Sequence, residues 1–212
     1  MEITWLGHSC FRIKGKSAVV ITDPCHPSLG YSLDKLQADM VTLSHSHPGH
    51  CYIEAITGEF KQIKGPGEYE IKSTFITGIA TFHDADRGET RGKNTVYLIE
   101  MDGMTLCHLG DLGHPLSSDV MEEIDDVEVL FLPVGGVSTI GSSTAAEIVR
   151  HLTPKIVIPM HYKTPLLTVE LEPVDKFLKE LGVNEIAPQS KLSVTLSNLP
   201  SSTKVIILDY PH

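Results

Sequence analysis

Several things are missing from this sequence, and each absence removes a class of function. It has no C-x-x-C pair, and its four cysteines, Cys10, Cys25, Cys51 and Cys107, are scattered without a disulfide framework. That pattern in a chain long enough to bury a core reads as reduced thiols. No apolar run approaches the roughly 20 residues that span a bilayer. Met1 to Leu6 enters a strand pattern directly, without the basic segment and apolar run of a signal peptide. A cytoplasmic protein with no membrane partner is therefore expected. There is no G-x-S-x-G to present a nucleophilic serine, and Gly65-Pro66-Gly67 and Gly135-Gly136 match no phosphate loop. Basic residues are in deficit: 27 Asp and Glu against 17 Lys and Arg leave a formal charge of −10. A surface of that sign repels polyphosphate, which argues against long nucleic acid as a partner. Linkers, repeats and low-complexity tracts are also absent, so residues 1–212 are expected to form one domain.

Histidine, by contrast, is abundant, with 11 in 212 residues. The N-terminal half reads as strands: Ile3 to Leu6, Cys10 to Ile13, Ala18 to Thr22, Asp39 to Ser44, Glu68 to Ile71, Thr74 to Phe82, Thr95 to Glu100 and Met104 to Leu109. Asp102-Gly103 between the last two is a two-residue hairpin signal. The C-terminal half alternates. Val127 to Val134 and Lys155 to Met160 read as buried strands. A helix starts near Thr144, with Glu147 at capping-box spacing, and stops at Pro154. Val174, Phe177, Leu178 and Leu181 form a second helical stripe closed by Gly182, and Leu192 to Leu196 and Lys204 to Leu208 are final strands. Many strands with few helices imply sheets packed face to face with helices outside.

Four apolar runs each deliver a metal-ligating residue: His45 after Ser44, His83 after Phe82, Asp111 after Leu109-Gly110, and His161 after Met160. Ligands at the ends of strands anchored in a core can converge on one rim with the rigidity a metal requires. His45 and His47, two apart in an extended segment, share a side of the chain, and Pro48-Gly49 breaks the strand so that His50 can turn in. Imidazoles with a carboxylate suit Zn, with Mn, Ni or Fe as further candidates.

This constellation resembles the metallo-β-lactamase superfamily, whose signature H-x-H-x-D-H is followed by separate His, Asp and His ligands. The pattern falls on His45, His47, Gly49 and His50, then His83, Asp111 and His161. The resemblance implies a four-layer αββα sandwich. One metal would sit on His45, His47 and His83, another on His50 and His161, with Asp111 between them. Asp23 would brace the histidine loop. Leu6-Gly7-His8-Ser9, His108-Leu109-Gly110-Asp111 and Pro159-Met160-His161-Tyr162 look like the branch that contains ascorbate-6-phosphate lactonase.

Position 49 departs from the pattern: it is Gly where the family has Asp, so one metal loses a carboxylate. Either a single metal remains, or another residue completes the second site. His8, at the end of the first strand, is the candidate replacement. The expected chemistry is hydrolysis of a small anionic ester, lactone or phosphodiester by a metal-activated hydroxide, the bound water's pKa falling to about 7. Asp111 would orient it, and His50 or His161, if uncoordinated, would move protons. Arg91 and Lys163 are candidate cations for the substrate. The alternative is a metal-binding sensor or interaction module without turnover, which Gly49 keeps open. His108 has the wrong strand parity to face the same cavity as Asp111, and His114 fits either the site mouth or a solvated turn. His26 and His151 read as surface residues and His212 as terminal. Leu166 and Leu167 suit either a cover over the site or a contact in an oligomer.

Overall fold

The computed structural model describes residues 1–210, which leaves His212 outside the described residues. Two sheets carry the fold. One has six strands in the order Leu192–Ser193, Glu2–Gly7, Cys10–Lys14, Val19–Thr22, Met40–Leu43, Lys61–Lys64. The other has seven, in the order Lys204–Val205, Ile156–Met160, Val129–Pro133, Met104–His108, Lys93–Met101, Thr74–Phe82, Gly67–Ile71. A small parallel ladder pairs Leu36–Gln37 with Ile56–Thr57.

Burial along the strands follows from what covers them. Glu2–Gly7 alternates half-buried and buried residues, so one face looks into the sandwich. Val129–Pro133 and Ile156–Met160 are buried at every position because both faces are covered. On the inner side Phe131 packs against Phe11 of the opposite sheet, with ring centres 4.5 Å apart and the planes tilted by 50°. The Tyr97 hydroxyl also crosses between the sheets and donates to the Leu43 carbonyl at 2.9 Å. Among the described residues the α-helices, Ser118–Glu123, Ser142–Leu152 and Val174–Glu180, all lie in the C-terminal half, as connections between parallel strands. The α/β sandwich expected from the sequence is the observed architecture.

Local differences have local causes. The second helix starts at Ser142 with Gly141 as its cap, so Thr144 and Glu147 lie inside it and form no capping box. The preceding loop sets that start, since Ile140 N–H donates to Leu112 and the Ser142 hydroxyl to Val134. The strand expected over Leu192 to Leu196 stops at Ser193. The Asn198 side chain accepts from Thr195 N–H and turns the chain into a 3-10 turn, Leu196–Asn198. Asp102-Gly103 makes the expected hairpin, both residues at positive φ.

Strand direction decides where the site forms. Thr74–Phe82 and Met104–His108 both run antiparallel to Lys93–Met101, and Ile156–Met160 joins Met104–His108 through parallel Val129–Pro133. All three therefore end at one rim. In the other sheet two reversals followed by a parallel pair leave Glu2–Gly7 and Met40–Leu43 pointing the same way. The residues just past these five strands are His83, Asp111, His161, His8 and His45.

Candidate metal centre

At the rim the five strand ends meet. The ligand atoms of His45, His47 and His83 lie within 4.8 Å of one another, as do those of His8, His50 and His161. All of these rings are buried except that of His47, which faces solvent. Asp111 stands between the two triads. Its Oδ2 is 3.1 Å from His50 Nε2, 3.3 Å from both His83 Nε2 and His161 Nε2, and 3.8 Å from His45 Nε2. Two ligands about 2.0–2.1 Å from one tetrahedral Zn stand roughly 3.3 Å apart, so the carboxylate spacing matches ligands that share a cation.

The unpartnered atoms fit the same reading. His45 Nε2, Asp111 Oδ1 and one ring nitrogen each of His8, His83 and His161 are buried without a hydrogen bond. Leaving such groups dry and unpaired costs about 1–3 kcal/mol each, and a cation among the Nε2 atoms would relieve His45 Nε2 and Asp111 Oδ1. The donor set, imidazoles around one carboxylate, is that of a borderline divalent metal.

Asp23 sets the protonation of two of these histidines. Its Oδ1 accepts Ser44 N–H at 2.7 Å, and its Oδ2 accepts the Ser44 hydroxyl at 2.5 Å and His50 Nδ1–H at 2.9 Å. The single Ser44 hydroxyl proton is spent on Asp23, so Ser44 Oγ must accept from His45 Nδ1 at 2.9 Å. His45 then turns a bare Nε2 toward Asp111 and the space around it, while His50 keeps its Nδ1 proton on Asp23, so that loss of its Nε2 proton leaves the tautomer a metal needs. The bracing role expected of Asp23 is what the geometry gives.

Burial drives the His45 pKa down to about 3 and holds those of His8 and His83 below the usual imidazole range, so these rings stay neutral. Burial also opposes charge on His50, but Asp111 and Asp23 at its two nitrogens outweigh it and raise its pKa to about 10. Asp111, despite burial, is held well below the carboxylate range by His161 and His50. Without metal, a proton on His50 neutralises part of the charge that a cation would otherwise meet.

Backbone geometry at the rim is unusual. His8, Asp23 and His161 have φ of 53°, 37° and 52°, a left-handed region that costs a non-glycine residue about 1–3 kcal/mol. The Trp5 indole and the His161 N–H both donate to the His8 carbonyl, at 3.0 and 3.2 Å. Gly110, at φ 57°, packs so closely on Asn94 and Ser44 that a side chain there would collide with both.

Other braces gave no sequence signal. Asn94 Oδ1 accepts Asp111 N–H at 2.9 Å while its amide donates to Thr81 and Leu109, tying the Asp111 turn to two strands. Asp84, next to His83, accepts backbone N–H groups from Asp86, Gly88, Thr90 and Arg91 and so organises the following loop. A polar residue opening a Gly-containing loop was the available hint.

Of the remaining candidates, His114 Nε2 accepts Phe82 N–H at 3.1 Å and fixes the strand end before His83. His108 lies away from the cluster, as its parity implied, with Nε2 3.0 Å from the Ser9 carbonyl. His26 caps the turn Pro27–Leu29, and His151 is exposed on its helix. Arg91 is exposed and reaches the Val137 carbonyl at 3.5 Å, bridging the loop after His83 to the loop beside His161. Lys163 turns to the Leu167 and Val169 carbonyls and to Glu170. Leu166 is exposed and Leu167 buried. Among the described residues no helix is long and apolar enough to cross a membrane.

Comparison with known proteins agrees with this geometry. The family model described as the beta-lactamase superfamily domain matches residues 2–161. A solved Thermotoga maritima protein, assigned as a Zn-dependent hydrolase of the metallo-β-lactamase superfamily, is 38% identical. It superposes with a TM-score of 0.83 over 99% of each chain. A Pelotomaculum thermopropionicum relative named a UPF0173 metal-dependent hydrolase is 30% identical over 207 residues, 82% of this chain and 90% of its own length. A Methanopyrus kandleri protein of the same name is 26% identical over 216 residues, 87% of this chain and 94% of its own. The chain belongs to the metallo-β-lactamase superfamily.

Proposed function

We propose that this chain is a metal-dependent hydrolase acting on a small anionic ester, lactone or phosphodiester. One observation carries the reading: a buried carboxylate oxygen of Asp111 lies 3.1–3.8 Å from four imidazole Nε2 atoms, beside ligand-capable atoms that have no protein partner. His45, His47 and His83 would hold one cation and His50 and His161 another, with Asp111 shared. Zn is the favoured metal, and Mn, Ni and Fe are compatible with the donors. A divalent cation here supplies an acidified water and polarises the carbonyl or phosphoryl oxygen under attack.

The protein's own part is orientation and proton management. Asp111 Oδ1 lacks a protein partner among the described residues, so it can accept a hydrogen bond from the attacking water and aim it. Both nitrogens of His50 are engaged, with Asp23 and Asp111, which favours a ligand role over proton shuttling. Arg91, on the loop that follows His83, is the better placed cation for an anionic group. Lys163 is already held by carbonyls of its own loop. The names of the relatives support hydrolysis. The resemblance of Leu6-Gly7-His8-Ser9 and Pro159-Met160-His161-Tyr162 to the ascorbate-6-phosphate lactonase branch favours a lactone or ester.

The test is metal analysis of protein purified without added metal, then bis-p-nitrophenyl phosphate and lactone assays with Mn, Zn, Ni and Fe. Turnover of one ester class that is lost on chelation and regained on metal addition is expected. Bound metal with no turnover on any ester would refute the hydrolase and leave a binding module.

A further inference from the structure

Gly49 and His8 explain each other. Gly49 is not at positive φ, so its backbone does not require glycine. Its surroundings favour one: a Cβ at position 49 would lie 3.3 Å from His8 Nε2 and 3.2 Å from Leu29 Cδ1, tight enough that one of these side chains would have to give by a few tenths of an ångström. The space that a side chain at 49 would enter is occupied by the His8 ring. That ring is 4% exposed, its centre lies 4.2 Å from the His161 ring and 5.0 Å from the His50 ring, and its Nδ1 has no partner. The φ of 53° at His8 is a further sign, because the fold holds a histidine in a costly conformation where glycine would be free of strain.

We propose that His8 is a ligand of the second metal, replacing the carboxylate missing at position 49, so that His8, His50 and His161 form a neutral triad capped by Asp111. This rests on the metal-dependent reading above and adds two things to it. The second cation survives the loss of the aspartate. The pair of cations is also neutralised by one carboxylate, Asp111, where an aspartate at 49 would supply a second. A centre with that excess positive charge and an all-imidazole second triad favours Zn, Ni or Fe over Mn in the second position, since carboxylate suits Mn better and imidazole suits the others. It also attracts an anionic group on the substrate.

The experiment uses the full chain and reads metal content and Zn affinity by competition with a chromophoric chelator, independent of activity. Wild-type protein is expected to bind two Zn. His8→Gly removes the imidazole while suiting the backbone, so the fold is retained, and it is expected to weaken the second Zn by at least about 10-fold. Gly49→Asp alone puts its side chain against the His8 ring and should not tighten Zn. The double variant His8→Gly with Gly49→Asp restores the second equivalent and raises Mn affinity relative to Zn. Unchanged binding of two Zn by His8→Gly would overturn the assignment of His8 while leaving the hydrolase reading intact. Binding of no metal by the wild type would overturn both.

Discussion

Replacing Asp23 tests how the protein prepares its ligands, because the carboxylate accepts three hydrogen bonds and donates none. In Asp23→Asn the amide oxygen can still accept Ser44 N–H, but the NH₂ now faces Ser44 Oγ and His50 Nδ1 as a donor. His50 must accept at Nδ1 and carry its proton on Nε2. The Ser44 hydroxyl, no longer donating to residue 23, is free to donate to His45 Nδ1, which moves that proton to Nε2 as well. The tautomer that would offer a bare Nε2 to a metal is then disfavoured at both histidines. Restoring it requires breaking about one buried hydrogen bond per histidine, roughly 1–1.5 kcal/mol each. The sum of about 2–3 kcal/mol corresponds to a loss of roughly 30- to 150-fold in metal affinity, at or slightly above the upper part of the roughly 10- to 100-fold seen when such supporting contacts are removed.

Asp23→Ala separates this effect from simple loss of support. It imposes no tautomer but strands three buried donors, which costs the metal-free fold about 3–5 kcal/mol. Asp23→Asn should therefore lose more Zn affinity per unit of folding stability than Asp23→Ala, measured by chelator competition and urea unfolding on the same preparations. Zn affinity in Asp23→Asn within about 3-fold of wild type would refute the tautomer argument.

Other outcomes follow from the same centre. His50 has a pKa raised to about 10, so near pH 7 it enters metal binding protonated, and uptake should release about one proton per chain. Calorimetry in buffers of different ionisation enthalpy reads that number directly, and a value of zero would contradict the charge assigned to His50. The sign for the metal-free fold follows: the His50 contribution is complete below about pH 6.5 and is lost as the pH rises through about 10. Asp111→Asn removes the carboxylate shared by both triads and should cut hydrolysis by at least about 100-fold, with far-ultraviolet dichroism unchanged. Retained turnover would remove Asp111 from the chemistry. Asp84→Ala frees the backbone N–H groups of Asp86, Gly88, Thr90 and Arg91 together, so hydrogen exchange should accelerate across that loop while Asn94 and Val96 stay protected. Uniform acceleration along the chain would mean that Asp84 supports the whole fold instead.

What could be read from the sequence, and what could not, follows the range of the forces involved. Apolar runs such as Val41 to Leu43 and Ile156 to Met160 mark buried strands. The first polar residue beyond each, apart from the brace Ser44, is the group delivered to the rim, so His45, His83, Asp111 and His161 were legible. Short strands were less so. Lys61–Lys64 buries Ile63 alone, so it has no periodicity strong enough to detect, and the strand read over Lys204 to Leu208 pairs with Ile156–Met160 only at Lys204–Val205. Helix Ser118–Glu123 has no fully buried residue and so leaves no apolar stripe. Braces such as Asn94 and Ser44 act through hydrogen bonds to partners distant in sequence, and nothing in a local window announces them. Lys163 was legible as a cation near His161, but its own loop supplies carbonyls that capture it.

Position 49 joins the two kinds of reading. From the sequence it is a missing ligand, and a missing ligand alone argues for a weakened site with little chemistry. In the fold the same glycine is the clearance that lets the His8 ring stand beside His50 and His161, so the loss and its replacement occur within 3.3 Å. Placing His8 there requires a positive φ, and its carbonyl is then held by Trp5 and by the N–H of His161, itself at positive φ. Strain of this kind persists only where surrounding contacts fix it, and it gathers where a side chain must be aimed. A histidine left over from a vanished second site would gain by relaxing to an ordinary conformation, and the packing of Trp5 against Tyr162 and Tyr210 would not need to hold it. The left-handed conformation of His8, held in place by these contacts, therefore argues that the rim is built to aim that ring at His50 and His161.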